Sequence, residues 1–304
     1  MGPFCAFMSS VTWAFGSAGY SHLSRTYSAF SVSLMRALIA LSLFFIWALV
    51  SAGSFSTLYG EYRLVSIHTV EWFTVSMFAS YGFGDILFLW ATRHVGIPTA
   101  LALASSYPIW TGLFGLVFKN EPLALTQAVG LMMTVAGMVL VILHSPEMPI
   151  YSGQSTLKGS RAKGVFLGFA ASFFWALNSI AVSEAAAGTN LPVSNTVRMG
   201  IGLIMSAAFC LILTPQARLL LPLKEVKKYF WLFAMEAFGG SAFYTYGMTH
   251  STLAVGATLS SLSPVISVPV AWIAGWEKFS PFRTVGVCFV VLGIAFLMSG
   301  GVNH

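Results

Sequence analysis

Apolar residues in this chain run in blocks of about twenty. Ten such blocks follow one another, at approximately 4–23, 30–51, 70–92, 97–118, 123–144, 164–184, 193–214, 229–249, 253–275 and 282–299. A helix rises ~1.5 Å per residue, so each block is long enough to cross ~30 Å of hydrocarbon. Composition agrees: 57% of the 304 residues are hydrophobic and 8% charged, with a mean hydropathy of +0.81, whereas soluble domains carry roughly 25% charged residues. The expected fold class is an all-α polytopic membrane protein with ten transmembrane helices. Most breaks are short, so neighbouring spans should form antiparallel hairpins. The segment 145–163 is rich in Ser, Gly and Pro, ends in Lys158, Arg161 and Lys163, and reads as a linker. No break has room for a soluble domain. The first block lacks a basic lead-in and resembles a later span, so it reads as a retained helix rather than a signal peptide.

Cys5, Cys210 and Cys288 lie inside apolar blocks with neither metal nor disulfide spacing, and read as packing residues. No cofactor or metal is expected. The net charge of +6 does not point to nucleic acid. There is no soluble basic face, and cationic loops are ordinary at a cytoplasmic membrane surface. One side of the membrane would carry two Lys or Arg and both termini, the other eleven. The positive-inside rule puts the eleven in the cytoplasm.

The chain repeats itself. Shifting the first helix pair by 162 residues superposes Phe7 on Phe169, Ser10 on Ser172, Trp13 on Trp175, Ser17 on Ser179 and Arg36 on Arg198. Shifting the next three helices by 156 superposes Gly84 on Gly240, His94 on His250, Ser105 on Ser261, Pro108 on Pro264, Glu121 on Glu277, Gly130 on Gly286 and Gly137 on Gly293. The expected organisation is a first five-helix repeat over 1–144, the linker 145–163, and a second five-helix repeat over 164–304. An odd number of spans inverts the second repeat relative to the first. Two inverted halves have two near-equivalent packings, which is the design of many secondary carriers.

Each repeat breaks a long apolar run in the same way: ALASSYPIW at 102–110 and TLSSLSPVI at 258–266. A proline at mid-span removes a backbone donor and frees a carbonyl near residue i−4, here Ala104 and Ser260. In lipid such groups need a partner, so the breaks must face protein or water. Matched interruptions point to a central binding site lined by Ser105, Ser106, Tyr107, Ser261 and Ser263. The plainer alternative is a packing kink satisfied by serine hydroxyls.

Taken together, W-A-F-G in the first helix, an Arg near the start of the second, S-x-x-P in the fourth, NEPLALTQAVGLMMTVAG into the fifth, and WEKFSPFRTVGVCFVVLG in the second half resemble the EamA type of the drug/metabolite transporter superfamily. The resemblance covers nearly the whole chain. It implies a ten-helix carrier exporting or exchanging small metabolites, often amino acids or related compounds, with cytoplasmic termini, the opposite of the orientation that the charge count gives. These motifs mark the scaffold rather than the cargo. One departure is that the usual Gly before the loop Glu is Asn120 here and Trp276 in the second half.

Charge inside the spans is sparse. Asp85, the only aspartate, falls in span three and Glu236 in span eight. A mid-bilayer carboxylate costs roughly 2.5–3.5 kcal/mol on insertion scales, so each should face a partner or water. Glu236 reads either as a substrate-amine or proton-coupling group or as a neutral acid bonded to a neighbouring helix. Asp85 reads as a site residue or as a structural partner of Arg36. The duplicated Arg36 and Arg198 read as structural, and the duplicated His94 and His250 as helix-end hydrogen-bonding groups. Trp13 and Trp175 lie mid-span and are duplicated. Asn178 follows Trp175 by three residues, Tyr81 precedes Asp85 by four, and Tyr244 follows Glu236 by eight. These spacings gather aromatic and polar groups on single helix faces, a lining suited to a small amphipathic metabolite; ordinary helix packing is the alternative.

The expected transport cavity thus comprises Trp13, Tyr81, Asp85, Ser105, Tyr107, Pro108, Trp175, Asn178, Glu236, Tyr244, Ser261 and Pro264. The G-x-G-D at 82–85 resembles an intramembrane aspartyl protease motif, but that chemistry needs two aspartates sharing a proton, and the chain has one. An enzyme is not expected. A non-transporting receptor or scaffold of the same fold is the main alternative. No phosphate loop stands out, so transport would draw on gradients, possible proton coupling included. The expected partners are a small-molecule substrate and the bilayer of the cell (inner) membrane.

Overall fold

The computed structural model describes residues 1–23, 26–95, 100, 103–144, 161–216, 218–263, 265, 266 and 280–299. Residues 145–160 of the expected linker, Pro264, Trp276 and Glu277 lie outside the described residues. Every regular element described is a helix. In chain order these are α1 (Gly2–Leu23), α2 (Ala29–Ala52), α3 (Phe55–Arg63) and α4 (Ile67–Met77), then a π-helical segment π1 (Phe78–Gly84) and α5 (Asp85–Val95). Next come α6 (Tyr107–Phe118), α7 (Leu125–Leu143), α8 (Arg161–Ala185), α9 (Leu191–Leu213) and α10 (Leu223–Leu232). A second π-helical segment, π2 (Phe233–Gly240), leads into α11 (Ser241–Thr249), followed by α12 (Leu253–Ser260) and α13 (Pro281–Ser299). Among the described residues, five stretches are individually long and apolar enough to cross a membrane: Phe30–Ala52, Leu125–Leu143, Arg161–Ala185, Leu191–Leu213 and Pro281–Ser299.

Three details depart from the sequence expectation. The break after the second block holds α3, whose N-terminus is capped by Ser54 Oγ accepting from the Thr57 N–H at 3.1 Å. Span eight begins at Leu223, six residues before the apolar block at 229, because its first turns are amphipathic and carry lysines. Spans three and eight are not plain α-helices. Both carry π-helical turns, at positions that correspond under the 156-residue shift.

The chain forms two compact units, each drawing on both sequence repeats: Met1–Gly82 with Ala181–His250, and Phe83–Ile180 with Ser251–His304. In the first, α2 packs against its repeat equivalent α9, with Ala40 and Phe44 against Met199 and Ala48 against Val193. In the second, α7 packs against its repeat equivalent α13, and α6 against α12. The α7–α13 seam is built from four glycines. A Cβ on Gly137 would lie 2.6 Å from the Gly286 carbonyl oxygen, and one on Gly293 2.7 Å from that of Gly130. Each glycine thus meets the repeat counterpart of the other, and the two helices run antiparallel with their backbones in contact.

The loop after α6 turns through Asn120, the only described non-glycine residue with positive φ, at 51°. Asparagine tolerates this left-handed conformation better than most residues, which explains why it can stand where the family resemblance leads one to expect glycine. The turn directs the Glu121 carboxylate onto the N–H of Leu253 at the start of α12, at 2.9 Å, where it satisfies an orphan donor.

Substitution of Gly137 by Val should cost about 1–3 kcal/mol through overpacking, read as a lowered midpoint of thermal unfolding. An unchanged midpoint would contradict the close seam. Asn120→Gly should leave the midpoint unaltered and Asn120→Val should lower it, because a β-branched residue is strained at that φ.

Candidate functional site

In the first unit, α1 presents Trp13, Gly16 and Tyr20 on one face, spaced three and four residues apart. Gly16 has no side chain because the Glu236 methylene stands where its Cβ would be, and Gly240 likewise makes room for Thr12. The two notches seat α1 flush against π2. Tyr20 Oη then donates to Glu236 Oε2 at 2.5 Å. From α2, Arg36 Nη2 donates to Glu236 Oε1 at 3.1 Å and Oε2 at 3.3 Å. The guanidinium lies 4.5 Å from the Tyr20 ring centroid and 5.2 Å from those of Trp13 and Tyr81. The Arg36 and Glu236 side chains are 12% and 8% exposed, so this is a nearly dry ion pair whose carboxylate also accepts a phenol hydrogen bond and whose cation sits among three aromatic rings. Pairing and hydrogen bonding are the conditions under which such charges persist in low dielectric.

Arg198, at the position matching Arg36, is buried in a different setting. Its Nε donates to Ser76 Oγ at 3.3 Å, and its guanidinium lies 5.7 Å from the Tyr244 ring centroid. Beside it, Asn195 Oδ1 accepts from Thr245 Oγ1 at 2.9 Å. The first unit therefore holds Trp13, Arg36, Tyr81, Arg198, Glu236 and Tyr244. Arg36 holds the carboxylate of Glu236. His250 fulfils its helix-end role, with Nδ1 3.1 Å from the Tyr246 carbonyl oxygen and its ring stacked on Tyr246. A cleft at that end of α11, lined by Thr189, Thr245, Tyr246 and His250 among others, contains none of the expected site residues.

In the second unit, Trp175 on α8 donates its indole N–H to Asp85 Oδ1 at 3.2 Å. The Trp175 ring meets Phe88 at 5.4 Å and stands edge-on to Tyr107 at 6.5 Å. Asn178 is half-buried one turn further along α8. The matched interruptions are real: the helical path breaks at Ser105–Ser106 and again at Ser261–Leu262. Pro108 does not kink a continuous helix. It occupies the first turn of α6, where a missing N–H costs nothing. Serine hydroxyls satisfy carbonyls at both breaks, Ser106 Oγ donating to Leu103 O at 2.6 Å and Ser261 Oγ to Thr258 O at 2.8 Å. Tyr107 Oη joins the two broken helices by donating to Ala257 O at 3.1 Å. The second unit thus brings together Asp85, Tyr107 and Trp175, and holds Ser105, Pro108, Asn178 and Ser261.

Tyr20 was missed in the sequence. Its signal was present: it follows Trp13 by seven residues, two turns along the same face, with Gly16 between them. Trp110 was also missed; its indole N–H donates to Ser172 Oγ at 2.9 Å.

Replacing Arg36 alone by Met should destabilise the protein by about 3–5 kcal/mol, because Glu236 is left buried without its cation. Adding Glu236→Met should recover most of that loss. The readout is the unfolding midpoint of the single and double variants, and a double variant as unstable as the sum of the singles would show that the two side chains are not coupled.

Compared with solved structures, the chain resembles one crystal structure over 100% of its own length and 98% of the other's, with 17% sequence identity and a TM-score of 0.72. That identity speaks to fold alone. No curated protein matches the sequence. The EamA-like transporter family matches in two parts, residues 1–143 and 162–299, and its members are membrane transporters rather than enzymes. With its apolar helices and two-repeat architecture, the chain belongs to the EamA-like transporter family.

Proposed function

We propose that this chain is a secondary carrier with ten membrane spans in two inverted five-helix repeats, 1–144 and 164–304, joined by the linker 145–163. It moves small metabolites, amino acids or related compounds, outward across the cell (inner) membrane by alternating access. The observation that carries this reading is the set of matched irregularities. Each repeat has π-helical turns in its third span and an interruption before the proline of its fourth. Regular helices suffice for a scaffold, and irregular backbone at membrane depth is tolerated where it lines a cavity or is buried in protein. The antiparallel packing of α2 on α9 and of α7 on α13 supports inversion, since elements near an in-plane twofold axis meet their own counterparts in opposite directions.

In this reading the aromatic and polar groups around Glu236 and around Asp85 contact substrate. Arg36 and Arg198 hold the frame, and Glu236 is the proton-coupling candidate. Facing it are Arg36 from α2 and Tyr20 from α1. Reconstituted vesicles loaded with pooled amino acids and small metabolites, under an imposed pH gradient, should lose one compound class selectively and saturably. No loss from folded protein would favour a non-transporting receptor. Glu236→Gln should abolish pH-driven flux and spare substrate exchange, and pH-driven flux unchanged in that variant would remove the coupling role.

A further inference from the structure

The segment from Arg218 to Trp231 takes no part in the site described above, yet its surface is sharply divided. Leu221 is buried in a cluster with Tyr20, Leu23, Val32, Met35, Ile39, Leu232 and Phe233, and Val226 and Tyr229 pack against that cluster. These contacts fix one face of α10 inward. Ser31 Oγ adds a tether by donating to Arg218 O at 2.5 Å. On the outer surface Lys224, Lys227 and Lys228 are exposed at the i, i+3, i+4 spacing of a single face, and Arg218 is exposed just before them. Trp231 continues that face one turn on and is 60% exposed, with Phe230 48% exposed beside it and Leu223 67% exposed at the start of α10. The one acid in this stretch is Glu225.

Cations followed one helical turn later by exposed Trp and Phe match the depth order of a bilayer surface, with phosphates outermost and the aromatic belt beneath them. The apolar neighbours make a water-facing role costly. The four cations belong to the side carrying eleven of the Lys and Arg residues, so their charge complements an anionic leaflet.

We infer that Arg218, Lys224, Lys227 and Lys228 form a binding site for the headgroup of an anionic phospholipid, with Phe230 and Trp231 seated against its acyl region. The lipid holds the start of span eight at the membrane surface, on the helix that leads into π2 and Glu236.

The test uses the full-length protein reconstituted in nanodiscs of phosphatidylcholine and phosphatidylglycerol, then extracted in mild detergent and analysed for retained lipid by mass spectrometry. Wild type should retain phosphatidylglycerol over phosphatidylcholine. Lys224→Gln/Lys227→Gln/Lys228→Gln should weaken retention about tenfold or more, since each juxtamembrane charge contributes substantially to binding an anionic surface. Lys224→Arg/Lys227→Arg/Lys228→Arg should keep it, and raising salt should release the lipid from both wild type and the Arg variant. If the Gln variant fails to fold, the Arg variant and the salt series decide alone. Equal retention of the two lipids, retention indifferent to the Gln substitutions and to salt, or a co-purified polypeptide in place of lipid would overturn the assignment.

Discussion

Hydrocarbon offers no hydrogen-bond partners, so every backbone N–H and C=O that leaves a regular helix must find one inside the protein. This constraint organises the second unit. The helical path breaks at Ser105–Ser106 and at Ser261–Leu262, and each break recruits its own repair: a serine hydroxyl folded back onto a carbonyl three residues earlier. Tyr107 donates across to Ala257 O, and Glu121 supplies the acceptor for the start of α12. The broken helices are therefore held by polar side chains at their ends and middle, and the serines and tyrosine beside the prolines serve the backbone first.

The duplicated frame carries an unduplicated charge. Arg36 and Arg198 occupy matching places, yet Arg36 meets a carboxylate and Arg198 a serine hydroxyl and a tyrosine ring. The residue matching Glu236 under the repeat is Ser80, whose hydroxyl bonds to its own helix at Ser76 O. The aromatic neighbours also differ, with three rings around Arg36 and Tyr244 near Arg198. Backbone irregularities are shared between repeats, while the carboxylates are not: Glu236 and Asp85 each match a serine, Ser80 and Ser241, in the other repeat.

Most of the frame was legible in the sequence because its signals are local or periodic. Block length gave an all-helical chain with membrane-spanning stretches, and the Trp, Arg and Gly correspondences gave the repeat that reappears as antiparallel packing of α2 on α9 and α7 on α13. The site was legible only as a set of candidates. Helical spacing could place Trp13 and Tyr20 on one face, but not say that Gly16 brings that face against Glu236, because the contact joins residues more than two hundred positions apart. For the same reason the pairing of Arg36 with Glu236 left no local mark in the sequence. The π-helical turns were invisible, since a shift from i→i−4 to wider bonding leaves no mark on hydropathy. The role of Asn120 needed a backbone angle before its chemistry made sense.

The glycine seam between α7 and α13 has a mechanical consequence. Side chains that interdigitate can slip by changing rotamer, but at Gly130, Gly137, Gly286 and Gly293 backbone lies against backbone, with Thr134, Val141 and Val290 closing the margins. Backbone packed this closely has little room to shift. The wide turns of π1 and π2 are the opposite choice, since they loosen the regular i→i−4 bonding of their helices. Close approach and widened turns are thus assigned to different helices by the choice of where to omit a side chain and where to widen a turn.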